Sequence, residues 1–556
     1  MRKRLRGYII NIKCRKLLRC VNAGARKAGK LRRCIGREGR KLRPRSSETI
    51  KQGVRDMERS VLGRLDRAAR LWPDKTMLKD SERSLTFSEF SELTKRIGTA
   101  LAERTAPGKP VAVLSGRHVY TPAAYLGIVR AGCFYAPMDG DVPKARLNQV
   151  LSVIDADLMV VDRDHLEVAK ELEFKGELAV LEDLAEAKAD DAVLAAREET
   201  LINTSPLYVI FTSGSTGKPK GVITSHLSLM TYIDAVGKVL DINETDICGN
   251  QAPLDYIAAI RDIYFPISFG ATTYIIPTSE VSIPTTLFAT LNREKITSIC
   301  WSVSGLEVPA KMGAFKVCRP EFIKKVCFSG SVISSKLLRM WQDALPDALY
   351  VNQYGPTETT ASCTYYVIPG KVEEDTVLPI GRPYDNYKII LLNEDGTETP
   401  RGEIGQICVG GPALALGYYN NPEVTAASFI TSPVNGMYGE RIYKTGDLGR
   451  WAEDGELEFH GRMDRQVKHF GHRIELGEVE DAARRVDGVE NCCALYNKEK
   501  EVLWLFNEGA ADSKAIVMYF RENMPAFMVP RKLMKLDKLP ALPNGKTDMQ
   551  ALKGYF

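Results

Sequence analysis

The 556 residues contain no run of about 18 apolar residues, the length that a membrane-spanning helix requires. Of the 12 cysteines none is spaced C-x-x-C, and the one adjacent pair is Cys492 and Cys493. That usage argues against a zinc finger or a disulfide framework and fits a reducing, cytoplasmic setting. No internal repeat and no long low-complexity segment follows residue 45. Hydrophobic residues at 44% and charged residues at 26% are ordinary for a folded protein, which excludes a wholly disordered, collagen-like or coiled-coil chain. What is present is enough chain for two to four domains of about 150 residues each.

The formal charge of +6 hides an asymmetry. Residues 1–45 hold 18 Lys or Arg and one acid, Glu38, whereas the rest holds 58 basic and 69 acidic residues. The chain therefore reads as an acidic globular protein behind a basic extension, residues 1–56. Such an arm is either an inert tail, an electrostatic binder of nucleic acid or anionic membrane, or the product of a start codon upstream of Met57. Basic residues interrupt Gly7–Leu18 too often for a signal-peptide core. No specific nucleic-acid partner and no membrane span is expected.

From Met57 helical patterns alternate with short apolar runs: Phe87–Leu101, Val111–Leu114, Tyr120–Ala131 and Leu158–Val161. Further strand-like runs follow at Leu207–Thr212, Thr272–Ile276, Lys388–Leu392 and Gln406–Val409. Residues 165–200 read as helix and surface linker. This alternation predicts an α/β architecture with parallel-rich sheets. The pattern resets near residue 464, which predicts a large domain over 57–463 and a small α+β domain over 464–556.

The most informative segment is Leu207–Val222, LYVIFTSGSTGKPKGV. An apolar run ends in a loop of glycines, hydroxyls and lysines. Glycines let backbone N–H groups converge on an anion, the hydroxyls of Thr212, Ser213, Ser215 and Thr216 add donors, and Lys218 and Lys220 add charge. That composition suits a triphosphate. The segment is not the P-loop of NTPases, because Gly217-Lys218 is followed by Pro219 and Gly214 is too close.

The stretch TSGSTGKPKG resembles the signature loop of adenylate-forming enzymes, which include acyl-CoA synthetases, firefly-type luciferases and amino-acid adenylation domains. Other elements similar to that family follow in its order. They are Leu85–Phe90, Arg130–Asp139, Asn352–Thr359 (NQYGPTET), Tyr443–Leu448 (YKTGDL), Gly461–Glu480 (GRMDRQVKHFGHRIELGEVE) and Leu542–Asp548 (LPNGKTD). The resemblance spans about Met57 to Phe556. Within the family the chain looks most like amino-acid adenylation domains and D-alanine–carrier protein ligases. No carrier domain follows Lys546, so a free-standing ligase is expected.

The resemblance implies ATP-dependent adenylation of a small carboxylic or amino acid, with Mg²⁺, followed by transfer to a carrier-protein phosphopantetheine thiol. Coenzyme A is the alternative acceptor, and a non-catalytic nucleotide-binding relative is the rival reading. It implies that Thr212, Ser213, Gly214, Ser215, Thr216, Gly217, Lys218 and Lys220 hold the β- and γ-phosphates. Tyr354 would stack on adenine beside Asn352, Gln353 and Gly355. Thr357 would meet the α-phosphate, Glu358 would hold Mg²⁺, and Asp447 would take the ribose hydroxyls with Arg462. Lys546 would bridge the substrate carboxylate and the α-phosphate. Asp464 matches the family hinge, about which the small domain would present Lys546 or the 466–473 segment. In that segment Phe470 stands where the family pattern has a basic residue, and Lys468 is either a site residue or a solvated one.

The acid pocket departs further. Counting back from Gly270 places Ile257 where α-amino-acid enzymes of this branch carry an ammonium-binding Asp. An apolar residue cannot pair a buried ammonium. Either the acid carries no α-ammonium, or Asp255 or Asp262 serves instead. Other aligned positions are Ala258, Arg261, Cys300, Cys327, Ser329, Gly330, Gln353, Ala361 and Ser362. Arg261 either pairs an acidic substrate group or snorkels to the surface, the latter being the expectation; the cysteines fit core filling.

Overall fold

A computed structural model describes residues 58–213, 219–542 and 547–556, which fall within one compact unit, Glu58–Phe556. The basic arm, Gly214–Lys218 and residues 543–546, with Lys546, lie outside the described residues.

Two large sheets carry the architecture. In the first, Pro206–Thr212, Phe134–Asp139, Pro110–Ser115, Leu158–Val161 and Glu177–Val180 run parallel in that spatial order. Lys220–Ser225 and Gly417–Tyr418 add antiparallel strands beyond Pro206–Thr212. The second is nine-stranded; its parallel centre holds Ile247–Asn250, Ser298–Ser302, Lys325–Ser329 and Leu349–Tyr354. Pro110–Ser115 is buried at every position, as a parallel strand covered on both faces must be. One core cluster runs from Val61 to Leu457 and unites helices with strands of both sheets.

Local chemistry fixes the ends of the elements. Helix Phe87–Ala102 starts at a capping box: the Glu89 backbone N–H donates to Thr86 Oγ1 at 3.2 Å, and the Thr86 N–H donates back to Glu89 Oε2 at 2.8 Å. Gly132, with φ +77°, makes the turn from helix Tyr120–Arg130 into strand Phe134–Asp139. The 165–200 stretch corrects the linker reading. It holds three short helices and the strand Glu177–Val180, which closes the edge of the first sheet on Leu158–Val161. A four-residue edge strand with an exposed first residue has too little periodicity to announce itself.

After Arg462 the chain forms a two-stranded hairpin, Gln466–His469 with His472–Glu475, and a three-stranded sheet, Asn491–Asn497, Val502–Glu508 and Lys532–Lys535. Two separate core clusters, built only from residues beyond 466, support them. Among the described residues no helix is long and apolar enough to cross a membrane.

Candidate active site

Parallel strands release their side chains into crevices at their carboxyl ends, and several of the predicted site residues stand at such ends. Thr212 and Asp139 end strands of the first sheet, and Ser329 and Tyr354 end strands of the second. Thr212 faces Lys220 across the hairpin that brackets the glycine-rich loop. Gly214, Ser215, Thr216, Gly217 and Lys218 lie outside the described residues.

Beyond Tyr354 the chain must turn tightly. A Cβ on Gly355 would sit 2.4 Å from Ser362 Cα, so only glycine fits. Thr357–Thr359 then make one 3-10 turn, and Thr360 and Ala361 take left-handed backbone (φ 58° and 72°), costly for residues with a Cβ. That turn points Glu358 into the interior, where it is fully buried. Its Oε1 accepts from the Tyr418 hydroxyl at 2.7 Å and Arg473 Nη1 at 2.8 Å, while Oε2 has no hydrogen-bond partner among the described residues. Burial alone would raise this carboxyl; the Arg473 guanidinium and the Tyr418 hydroxyl outweigh it and hold it below the usual range.

A second polar knot lies across the crevice. The Tyr354 hydroxyl donates to Asp447 Oδ2 at 2.5 Å, and Arg462 Nη1 donates to Asp447 Oδ1. Arg462 also donates to Asp464 through Nε at 2.6 Å and Nη2 at 2.7 Å, so the Asp447, Arg462 and Asp464 positions are mechanically joined. Asn352 Nδ2 donates to the Pro379 carbonyl at 2.8 Å, away from this knot, and Gln353 turns to Arg261 instead.

The hairpin Gln466–Glu475 closes over these groups. Arg473 supplies the Glu358 ion pair from its side chain, and its carbonyl accepts from Ser213 Oγ at 2.6 Å. The Tyr256 hydroxyl donates to the Gly471 carbonyl at 2.6 Å. Phe470 and Gly471 form the two-residue tip, both at positive φ (50° and 82°), as a hairpin twist demands. Lys468 is half-buried rather than solvated; burial lowers its ammonium, Asp447 opposes that, and the neighbouring Arg462 and Arg473 lower it further. Arg473 is the site residue that motif reading did not single out, although it stands inside the HRIE stretch.

A cleft of about 1010 Å³ runs beside this assembly. Thr212, Ser213, Thr357 and Arg473 line one wall, and Phe527 and Met528 another. Asp255 lines it too, not from a helix but from the turn before Ile257–Ala259. Burial and the nearby Asp139 push the Asp255 carboxyl up to about 7. A carboxyl raised in the folded state holds its proton after the unfolded chain, near 4, has lost it. The Asp255 contribution to native stability therefore falls as pH rises from about 4 to 7. Thermal melts of Asp255→Asn should show the variant gaining on the native chain across that window, and a pH-independent difference would contradict the assignment.

Ile257 is buried in the main core, so no carboxylate stands at that pocket position. Asp262 is no substitute: it is buried and its Oδ2 accepts from Asn250 Nδ2 at 3.0 Å. Arg261 overturns the snorkelling expectation. It is 1% exposed and donates to Gln353 Oε1 at 2.6 Å and the Cys300 carbonyl at 3.3 Å. Cys300 and Cys327 are buried and face each other in register on adjacent strands. Ser329 ends the strand that carries Cys327, Gly330 follows it, and a Cβ on Gly330 would meet Gly471 Cα at 3.6 Å, so the hairpin tip reaches the end of this strand. Ala361 is half-buried after the left-handed turn.

Comparison with known proteins agrees with this geometry. Tyrocidine synthase 1 of Brevibacillus parabrevis is 29% identical over 507 residues, covering 89% of this chain and 45% of that protein. Zwittermicin A synthase ZmaJ of Bacillus cereus is 28% identical, covering 86% of this chain and 92% of that protein. The chain spans less than half the length of the first curated relatives it matches. A solved protein containing adenylation and PCP domains, holo-PA1221, shares the fold at 23% identity and a TM-score of 0.78, over 89% of this chain and 84% of its own. The model of the AMP-binding enzyme family matches residues 65–419, and the chain belongs to that family.

Proposed function

We propose that this chain is a cytoplasmic ATP-dependent acid–thiol ligase that adenylates a small carboxylic or amino acid. A carboxylate oxygen attacks the α-phosphorus, the bond to the β-phosphate breaks, and pyrophosphate leaves. A thiol sulfur then attacks the acyl carbonyl, and AMP leaves with the oxygen that came from the acid. The thiol is the phosphopantetheine of a carrier protein, a reading supported by the PCP domains of the solved relative.

The observation that carries this reading is Glu358 Oε2, a fully buried carboxylate oxygen with no partner among the described residues, on a side chain joined through Oε1 to Arg473, which lines the cleft with Thr212, Ser213 and Thr357. Mg²⁺ is usually held by one or two carboxylates and the substrate's phosphates, so one free buried oxygen fits it. Bound there, the ion would neutralise phosphate charge. Around it, Thr357 reaches the α-phosphate and Thr212, Ser213 and Lys220, with the 214–218 loop, take the β- and γ-phosphates. Each Asp447 oxygen has one donor and a second lone pair for a ribose hydroxyl, with Arg462 fixing the carboxylate and Tyr354 offering its ring to adenine. Lys546 stabilises the charge that develops between acid and α-phosphate.

The hairpin holding Lys468 and Arg473 and the segment holding Lys546 both fall in the C-terminal domain, 464–556, and we infer from the family resemblance that they serve the active site in turn. We assign their alternation to rotation at Asp464. Asp464→Pro fixes φ there and removes the N–H, so it should slow thioester formation about tenfold or more while pyrophosphate exchange falls less. Rapid-quench measurement of each half-reaction checks this; equal losses contradict it.

The whole reading is tested by ATP–pyrophosphate exchange over amino, hydroxy, aryl and aliphatic acids, with Lys546→Ala as control. Exchange driven by one acid and lost in the variant supports it. ATP binding with no acid-driven exchange contradicts it and favours a non-catalytic nucleotide binder.

A further inference from the structure

Arg261 stands in the first turn of helix Ile260–Phe269, with its side chain buried. Its hydrogen bonds go to two neutral oxygens, Gln353 Oε1 and the Cys300 carbonyl, and its buried Nε has no partner among the described residues. It forms no ion pair with any described residue. The two internal segments outside the described residues, 214–218 and 543–546, contain no Asp or Glu. The nearest acid in sequence, Asp262, gives Oδ2 to Asn250 and makes no direct ion pair with Arg261, although the two charges attract; burial pushes its carboxyl up to about 7, so the attraction comes from a partly ionised group.

The other groups around the guanidinium are neutral. Gln353 Nε2 donates to the Tyr384 hydroxyl at 2.6 Å, and Ser362 Oγ donates to the Tyr232 hydroxyl at 3.1 Å. Tyr232, Cys300 and Cys327 complete the surroundings. Gln353 thus spends its amide holding the guanidinium in place without compensating its charge. A buried cation without an anion is expensive, and one with an orphaned donor doubly so. Meanwhile Ile257, one helical turn earlier, removes the carboxylate that would receive an ammonium. At these two aligned positions a buried cation and an apolar side chain stand, and neither can receive an ammonium.

We propose that the acid activated here carries a second anionic group, a carboxylate, that pairs with Arg261, and carries no α-ammonium. The substrate class is a small dicarboxylic acid, one carboxylate entering the adenylation site and the other docking on the guanidinium. The inference rests on the adenylation reading and names its substrate.

The test is pyrophosphate exchange on the full chain with matched acids: butanoate and succinate, pentanoate and glutarate, benzoate and the three phthalates, with aspartate and glutamate added. A site built to pair a polar group rejects the analogue lacking it strongly, so one diacid should exceed its monoacid partner in kcat/KM by about 100-fold or more. Arg261→Met should bring that ratio near one, and Arg261→Lys should retain part of it, whereas a merely structural arginine would lower both acids alike. A native ratio at or below one overturns the proposal whether or not either variant folds, and leaves adenylation standing. Aspartate or glutamate used as well as succinate or glutarate overturns the clause on the ammonium. If no acid drives exchange, adenylation itself fails. Thermal shift then decides: stabilisation of the native chain by a diacid and not its monoacid, lost in Arg261→Met, supports an anion site, and no shift overturns it.

Discussion

Glu358→Gln is expected to reduce acid-dependent pyrophosphate exchange by about 10²–10³-fold, the loss typical when one preorganised electrostatic group is removed from a water-excluded site. The amide keeps the shape of the side chain and an oxygen for one neighbour. It removes the negative charge that faces Arg473 and the free Oε2 lone pairs that suit a hard cation. Stability should fall as well. Breaking a buried ion pair by neutralising one partner costs about 3–5 kcal/mol, because the other charge stays buried. The two effects separate in the double variant Glu358→Gln, Arg473→Gln, which should recover melting temperature without recovering exchange. Recovery of exchange would mean that Glu358 serves only to hold the hairpin. The sign with pH follows from the lowered carboxyl: its contribution is full above the unfolded value near 4.3 and is lost as pH falls through the lower folded value. The stability gap between native and Glu358→Gln should therefore close only in acid.

Asp447→Asn is expected to raise KM for ATP on the order of 100-fold, within the range for truncating one partner of a buried, hydrogen-bonded charge pair. Asp447 is the meeting point of Tyr354 and Arg462, and Arg462 is also clamped by Asp464. An asparagine would leave the guanidinium with one carboxylate instead of two. It would also set an N–H₂ against the Tyr354 hydroxyl or Arg462, whichever way the amide turns. The nucleotide loses its ribose acceptor and the ring beneath adenine loses its anchor. Isothermal titration with a non-hydrolysable ATP analogue reads this directly, and unchanged affinity would remove Asp447 from the nucleotide site.

Much of this was legible before the structure. Helix Phe87–Ala102 runs one residue past the Phe87–Leu101 pattern, and strand Leu158–Val161 has the limits its apolar run suggests. Local signals of this kind are written in neighbouring residues. The ordered motifs point to Thr212, Thr357, Glu358, Asp447 and Arg462 together; in the structure Thr212 and Thr357 line one cleft, and Arg462 donates to Asp447. What could not be read were contacts between distant segments. Glu358 and Arg473 are 115 residues apart, and nothing in either neighbourhood signals their pairing. Arg261 was misjudged for the same reason. In a helix an arginine ordinarily extends along its stem to water, and only the packing of strands from 298 to 354 around it closes that route.

The central claim is that a carboxylate attacks the α-phosphorus of ATP. It is tested most directly by following the acid's own oxygen. The acid identified by exchange, labelled with ¹⁸O in the reacting carboxylate, is turned over with ATP and a pantetheine thiol, and the nucleotide product is weighed by mass spectrometry. The account predicts AMP carrying one ¹⁸O and unlabelled pyrophosphate. ADP with ¹⁸O in inorganic phosphate would mean attack at the γ-phosphate and would contradict it.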